Sequence, residues 1–300
     1  MPTPEPTIAI VTPSFRRDLA LCRLLNESVH LAFPPAVHHY IVVDHEDLAR
    51  FRPMQGSRTT ILDTYDVLPS RLLRKVPRAN KWIWLGHPRP VLGWVVQQIM
   101  KFAFADHVTE YVLIVSDSDA VFLRPVGVDD VIIGGRTLLA REPAAIGPHL
   151  PDHVDWNDNA FALLGLPRAT YPADDYISNV VVWDRMVAQR TCQRIEATTG
   201  RRWDKVLAQR RAVSEFLLYG VFATHVVPEL VQPVTGSVCL SEWGHGEVSE
   251  SHFVSLLSER KPHQFAASIS AHSSTTPEAR EQMIRTHVPL FSSAAVADGR

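Results

Sequence analysis

The sequence predicts an α/β fold built on a mixed, mostly parallel central sheet with helices on both faces, and three observations point there. Short apolar runs that read as buried strands alternate with longer stretches of helical periodicity from the first residues onward, an order that implies a parallel sheet. A chain of 300 residues can bury one large α/β core or two small ones. Its hydrophobic fraction of 46% and charged fraction of 21% are those of an ordinary globular protein.

In chain order, Ile8 to Val11 reads as a buried strand, Asp18 to Leu31 as an amphipathic helix, His39 to Val43 as a second strand and Thr59 to Leu62 as a weaker third. A basic, proline-punctuated stretch follows from Arg71 to Arg89. The pattern then predicts a helix from Leu92 to Asp106 and a strand running from Tyr111 into Asp117. In the second half, Thr137 to Ala140 and Tyr176 to Trp183 read as strands, Met186 to Thr199 and Val213 to Ala223 as helices, and Ser268 to Ala271 as a late short strand. Beyond Pro277 come one short helical pattern and a small-residue tail, Ser292 to Arg300, expected to fray. No internal repeat, low-complexity linker or clear domain boundary interrupts this order.

Composition narrows the function. A net charge of -2 leaves no basic excess to neutralise a phosphate backbone, which argues against nucleic acid as a partner. Cys22, Cys192 and Cys239 are few, odd in number and widely spaced; they argue against a disulfide framework or a structural zinc site and suit a reducing cytoplasm. The amino terminus MPTPEPT lacks the pattern of a signal peptide, and its first apolar run is too short to span a membrane.

Residues Tyr111 to Pro125, YVLIVSDSDAVFLRP, carry the strongest chemical signal. If the backbone stays extended through Asp117, Ser118 and Asp119, the two carboxylates fall on one side at a strand end, where hard oxygen ligands can hold Mg2+ or Mn2+ against a diphosphate. Asp-x-Asp alone arises by chance in solvated loops; the strand run before it and the return of Phe122 and Leu123 to the core distinguish this one. Open α/β sheets bind ligands beyond the carboxyl ends of their strands, so Thr12, Asp44 and Asp117 should line one crevice. Arg16 and Arg17 could reach phosphate there or stay solvated at a helix start. The helix from Leu92 sets Gly93, Gln97 and Lys101 on one face, with Trp94, Gln98 and Met100 pointing elsewhere. Arg74, Arg78 and Lys81 form a basic cluster that meets either diphosphate or solvent. Ser214 is an N-cap for EFLLYGVF, which places Glu215 in the first turn, ionised near neutral pH. Glu215 then either satisfies the helix terminus or acts as a base. HVDWNDNAF at His153 to Phe161 and YPADDYISNVVVW at Tyr171 to Trp183 have the composition of a sugar-binding surface or a half-buried loop, with Asp174, Asp175 and Asn179 the residues to test. SEWGHGE at Ser241 to Glu247 reads as a mobile loop able to close over a ligand.

On these residues the chain resembles glycosyltransferases of the GT-A fold. TPSFRRD at Thr12 to Asp18, IVVDHED at Ile41 to Asp47 and DSD at Asp117 to Asp119 carry the resemblance, and GWVVQQIMKFAF and SEFLLYGVF resemble blocks in a bacterial branch of that superfamily. The similarity spans roughly Ile8 to Ser274. It implies a single GT-A domain over residues 1–276, with a nucleotide-binding half at about 7–125 and an acceptor-binding half at about 126–276, followed by a helix and tail over 277–300. It implies that Thr12 and Pro13 shape the base pocket and that Asp44 accepts from the base or ribose. Arg16, Gln97, Gln98, Lys101 and Ser118 then belong to the donor site, Asp117 contacts the ribose or the metal, and Asp119 binds Mn2+ or Mg2+. A late histidine completes the metal site in many relatives; His272 in SISAHSST is the choice, with His245, His252 and His263 as competitors. Glu215 becomes the catalytic base. The implied reaction moves a sugar from a nucleoside diphosphate sugar, a UDP-sugar by frequency in the superfamily, to a hydroxyl of a saccharide or secondary-metabolite acceptor. Inversion rests on Glu215 alone. Competing expectations are a retaining glycosyltransferase of the same fold, a nucleotidyltransferase, and a noncatalytic nucleotide or carbohydrate binder; the nucleotidyltransferase is disfavoured because no Gly-rich phosphate loop follows the first strand.

Overall fold

A computed structural model of the chain describes residues 7–76 and 81–292. Its main sheet has five strands in the order Val180–Asp184, Val112–Ser116, Ile8–Ser14, His38–Val43, Thr59–Asp63. The last four are mutually parallel, and Val180–Asp184 runs antiparallel beside Val112–Ser116. Ile8–Ser14, Val112–Ser116 and Val180–Asp184 are buried at every position because both faces of the sheet are covered there. Ala9, Val11, Leu113, Val115, Val181 and Trp183 pack into one core with the helices Gly93–His107, Arg185–Thr199 and Glu215–His225. Their neighbours Ile8, Ile10, Val112, Ile114, Val180 and Val182 pack into a second core with Leu25 and Val29 of the helix Leu19–Ala32. The predicted α/β class and its mostly parallel sheet are therefore observed.

Smaller sheets build out the carboxyl edge. Ala120–Phe122, directly after the aspartate pair, lies antiparallel to Ala266–Ile269, which in turn runs parallel to Cys239–Glu242. This pairing brings residues 270–276 over Asp119. The long strand Arg136–Ile146 pairs with Val231–Thr235 and with Ala173–Asp175.

Several expectations need correction. The strand expected from Tyr176 starts only at Val180, and the late strand covers Ala266–Ile269 instead of Ser268 to Ala271. The basic stretch contains a small antiparallel sheet of Leu73–Val76, Lys81–Trp84 and Pro90–Val91, in which Arg74, Lys75 and Pro90 sit on the edge strands that tolerate them. His153 to Phe161 lies in the helix Pro151–Leu163, with Pro151 opening the first turn and Asn157, Ala160 and Leu163 buried along one side. The helix Pro277–His287 packs its Met283 and Ile284 with Leu24 and Val121 in a third core. Arg78 and tail residues 293–300 lie outside the described residues. Among those described, the three cysteines are buried and free, and no helix is long and apolar enough to cross a membrane.

Candidate functional site

The carboxyl edge of the sheet opens into a cleft of about 830 Å³. Pro13, Gln97, Gln98, Lys101, Asp117, Ser118, Asp119, Glu215 and His272 all line it, so most of the residues singled out from the sequence converge on one place. Backbone pairing explains why. The amide of Asp117 donates to the Asn179 carbonyl at 2.8 Å where the antiparallel strand begins, so the segment before Val180 forms one wall beside the aspartate pair. That segment is held from behind by Tyr176, whose ring lies against Gly220; a Cβ on Gly220 would fall 2.1 Å from Tyr176 Cγ.

One wall carries a buried charge chain. Lys101 is 5% exposed, and its Nζ donates to Asp117 Oδ1 at 3.0 Å and to Glu215 Oε1 at 2.8 Å while sitting 4.4 Å from the Phe216 ring centroid. The predicted cap is present: Ser214 Oγ accepts from the Leu217 amide, and Glu215 opens the helix. Glu215, however, is not an ordinary solvated carboxylate. Burial raises its pKa, and the Lys101 ammonium pulls it back. Burial likewise works against the Lys101 charge, but Asp117 and Glu215 outweigh it and hold the ammonium on.

Asp119 sits deeper. Its Oδ2 accepts from the Ala271 amide at 2.8 Å, and its Oδ1 accepts from Asn179 Nδ2 and Ser268 Oγ, both at 3.3 Å. Burial first and the Asp117 charge second push its pKa up to about 6. A buried carboxyl whose ionisation is opposed by burial and by a neighbouring carboxylate is a donor that a divalent cation would relieve. Asp117 and Asp119 thus fit a hard metal ion bound by two carboxylates and ligand oxygens. A third protein ligand is not assembled: among the described residues no three His, Cys, Asp or Glu side chains are close enough to hold a metal. His272 does line the cleft, with its ring centroid 6.4 Å from that of His245, which lines it too. His252 instead pairs with Glu242, and His263 lies against Gly236.

Other expected residues are placed elsewhere. Thr12 is fully buried, and its Oγ1 hydrogen-bonds His39 Nε2 at 3.0 Å, beneath the cleft. Asp44 stands at its strand end as expected, but Lys75 Nζ holds its carboxylate and also donates to Glu46 at 2.6 Å. Arg16 pairs with Glu46 and Asp47, whereas Arg17 is the one of the two that lines the cleft. On the expected acceptor side, Asp174 is tied to Arg141, and Asp175 accepts from His153 at 2.6 Å; only Asn179 of that trio reaches the cleft. Arg74 lies over the Tyr65 ring and does not line the cleft.

Two residues were not singled out. Asp18 Oδ2 accepts from Ser118 Oγ at 3.1 Å inside the cleft, and burial raises its pKa; its place at the end of TPSFRRD was the available signal. Arg280 is 3% exposed and donates to the carbonyls of Ile269, Ser270 and Thr275 at 2.8, 2.8 and 3.0 Å, so it pins the segment that bears Ala271 and His272. No sequence pattern marks an arginine whose partners are backbone carbonyls.

A search of curated proteins finds no match. A protein-family model does match, over residues 5–231. Because that match covers well over half of the chain, the protein belongs to DUF6492, a family of unknown function.

Proposed function

We propose that this protein is a glycosyltransferase of the GT-A type that uses a divalent cation, Mn2+ or Mg2+, and a nucleoside diphosphate sugar. The observation that carries this reading is the convergence of Asp117, Asp119, Lys101, Glu215 and His272 on one cleft at the carboxyl ends of parallel strands. Asp117 and Asp119 would hold the cation, which would neutralise charge growing on the departing nucleoside diphosphate. Arg17 on the rim supplies fixed positive charge for the same phosphates, and Lys101 keeps Asp117 oriented. Glu215 is the group proposed to take the proton of the acceptor hydroxyl, giving inversion; burial raises its proton affinity, which suits a base.

The Lys101–Glu215 contact supports a second reading. If Glu215 serves to fix Lys101 against Asp117, it is a positioning residue and transfer proceeds with retention. The configuration of the product separates the two.

The test of the whole reading is thermal shift with a panel of nucleoside diphosphates, with and without Mn2+, followed by hydrolysis of the matching UDP-, GDP- or dTDP-sugars. Cation-dependent binding followed by donor turnover is expected. Binding with no turnover on any donor or acceptor makes the protein a noncatalytic binder, and equal activity in EDTA removes the metal.

A further inference from the structure

The cleft contains two buried amide oxygens that receive no hydrogen bond. Asn179 and Gln98 are each 4% exposed and both line the cleft, yet neither Asn179 Oδ1 nor Gln98 Oε1 has a partner. The Asn179 amide is oriented by its bond to Asp119, with Nδ2 as donor, which leaves Oδ1 as an acceptor in want of one. Unpaired buried acceptors are uncommon and costly, and here two belong to side chains that line the same cleft. Their natural complement is a ligand that brings donors. Phosphate does not, because its oxygens are acceptors and would repel these two. A sugar does, since each hydroxyl can donate while the ring's apolar face packs on aromatic surface. That surface is present: Trp94, Trp156 and Trp243 line the same cleft, with the Trp94 and Trp156 centroids 5.9 Å apart.

We propose that Asn179 and Gln98 accept hydrogen bonds from hydroxyls of a hexose and so form the sugar-reading subsite of the cleft. The proposal rests on the glycosyltransferase reading, in which the donor's sugar must lie beside the Asp119 carboxylate that Asn179 touches. A site built on buried acceptors also discriminates: a deoxy analogue that lacks the donating hydroxyl leaves them unpaired and is rejected more strongly than a poor steric fit would be.

The test is calorimetric titration of UDP and of a panel of UDP-hexoses in the presence of Mn2+, for the wild type, Gln98→Met and Asn179→Leu. In the wild type the best hexose should tighten binding over UDP by about tenfold or more, as hydrogen bonds to buried acceptors would. Each substitution should erase most of that increment. The increment is a ratio within one variant, so a change in how Asp119 supports UDP itself cancels, and Gln98→Met, which does not touch Asp119, carries the test free of that contact. Ligand-free Gln98→Met should melt no lower than the wild type, because it removes an unpaired acceptor; a clear fall in its Tm marks Gln98 as structural and overturns its role. An increment that survives both substitutions, or no increment for any hexose, overturns the proposal. If no nucleoside diphosphate binds, the glycosyltransferase reading has failed, and saturation-transfer NMR with glucose, galactose, mannose and N-acetylglucosamine decides the subsite alone. Sugar signals present in the wild type and lost in Gln98→Met uphold it; absent or unchanged signals overturn it.

Discussion

Two strand ends of one sheet carry acidic residues, and they have different fates. After His38–Val43, Asp44 is 21% exposed at its side chain and closed over by Lys75, which is 10% exposed and shared with Glu46. After Val112–Ser116, Asp117 is 38% exposed at its side chain, with Asp119 beyond it and deeper, and both line the open cleft. Each end has its lysine. At the Asp117 end Lys101 is buried in the helix Gly93–His107, and the Asp117 carboxylate it touches stays more exposed than that of Asp44. At the Asp44 end Lys75 comes from a small antiparallel sheet that lies across the strand terminus. A strand-end carboxylate therefore becomes a candidate ligand or an ion-pair partner according to what crosses it.

The sharpest way to break this contrast is at Asp119. Asp119→Ala should abolish cation-dependent nucleotide binding and nearly all turnover while the fold persists, since the change removes a carboxylate that is costly to bury and offsets the hydrogen bonds lost with it. Titration with UDP and Mn2+ by calorimetry, beside circular dichroism of the variant, checks it. Unchanged binding would remove Asp119 from the metal site.

Next in size is Glu215→Gln, which keeps the shape and removes the basic carboxylate. Turnover should fall by about a hundredfold to ten-thousandfold with donor affinity nearly unchanged. A few-fold loss, or a product that keeps the donor's configuration, assigns Glu215 to positioning Lys101.

Lys101→Met tests the buried chain itself. Removing the ammonium strands Glu215 in the interior, and breaking a buried pair in this way typically costs about 3–5 kcal/mol. Urea denaturation should show a loss in that range. Lys75→Met, where the pair is nearer solvent, should cost far less.

Much of this contrast was legible in the sequence, for physical reasons. The strands at Ile8 and Tyr111, and the Ile41–Val43 end of the strand at His39, are continuous apolar runs, and such runs are hard to place anywhere but in a covered sheet. Asp117, Asp119, Lys101 and Glu215 follow from those elements, since strand ends and helix first turns aim side chains in known directions. What depends on tertiary crossing was not legible. Lys75 reads as one more cation in a basic stretch until Leu73–Val76 pairs with Lys81–Trp84 and carries it over Asp44. Asp174 and Asp175 look like ligand groups until Arg141 and His153 take them. His272 fits a late-histidine pattern, but whether it gathers with two aspartates is a matter of ångströms that spacing does not set.

A smaller effect sharpens the contrast through pH. Burial lifts the Asp119 pKa from 3.8 to about 6, so between those values the folded protein holds a proton that the unfolded chain has released. Ligand-free stability should therefore fall on this account as pH rises from about 4 to about 6, by the sign of that linkage. Cation binding needs the ionised form, so the thermal shift caused by Mn2+ should grow from pH 5 to pH 7. Asp119→Ala should flatten both trends, and a Mn2+ shift that is constant across the range would remove Asp119 from the metal site.

The smallest expected effect lies at the closed end. A nucleotide whose base is read by Asp44 must displace Lys75, so the two partners of one ion pair should respond with opposite signs. Asp44→Ala should weaken UDP binding by about tenfold, the loss expected for a hydrogen bond to a charged acceptor. Lys75→Met should leave affinity within about threefold or raise it, because the carboxylate is released from its competitor. Neither change should move stability by more than about 1 kcal/mol, since the pair is partly solvated. Equal weakening in both would mean that the ion pair acts as a unit and holds the strand end in shape. If affinity is unchanged in both, Asp44 has no part in the nucleotide site and the two strand ends differ in kind, with only the Asp117 end open to a ligand.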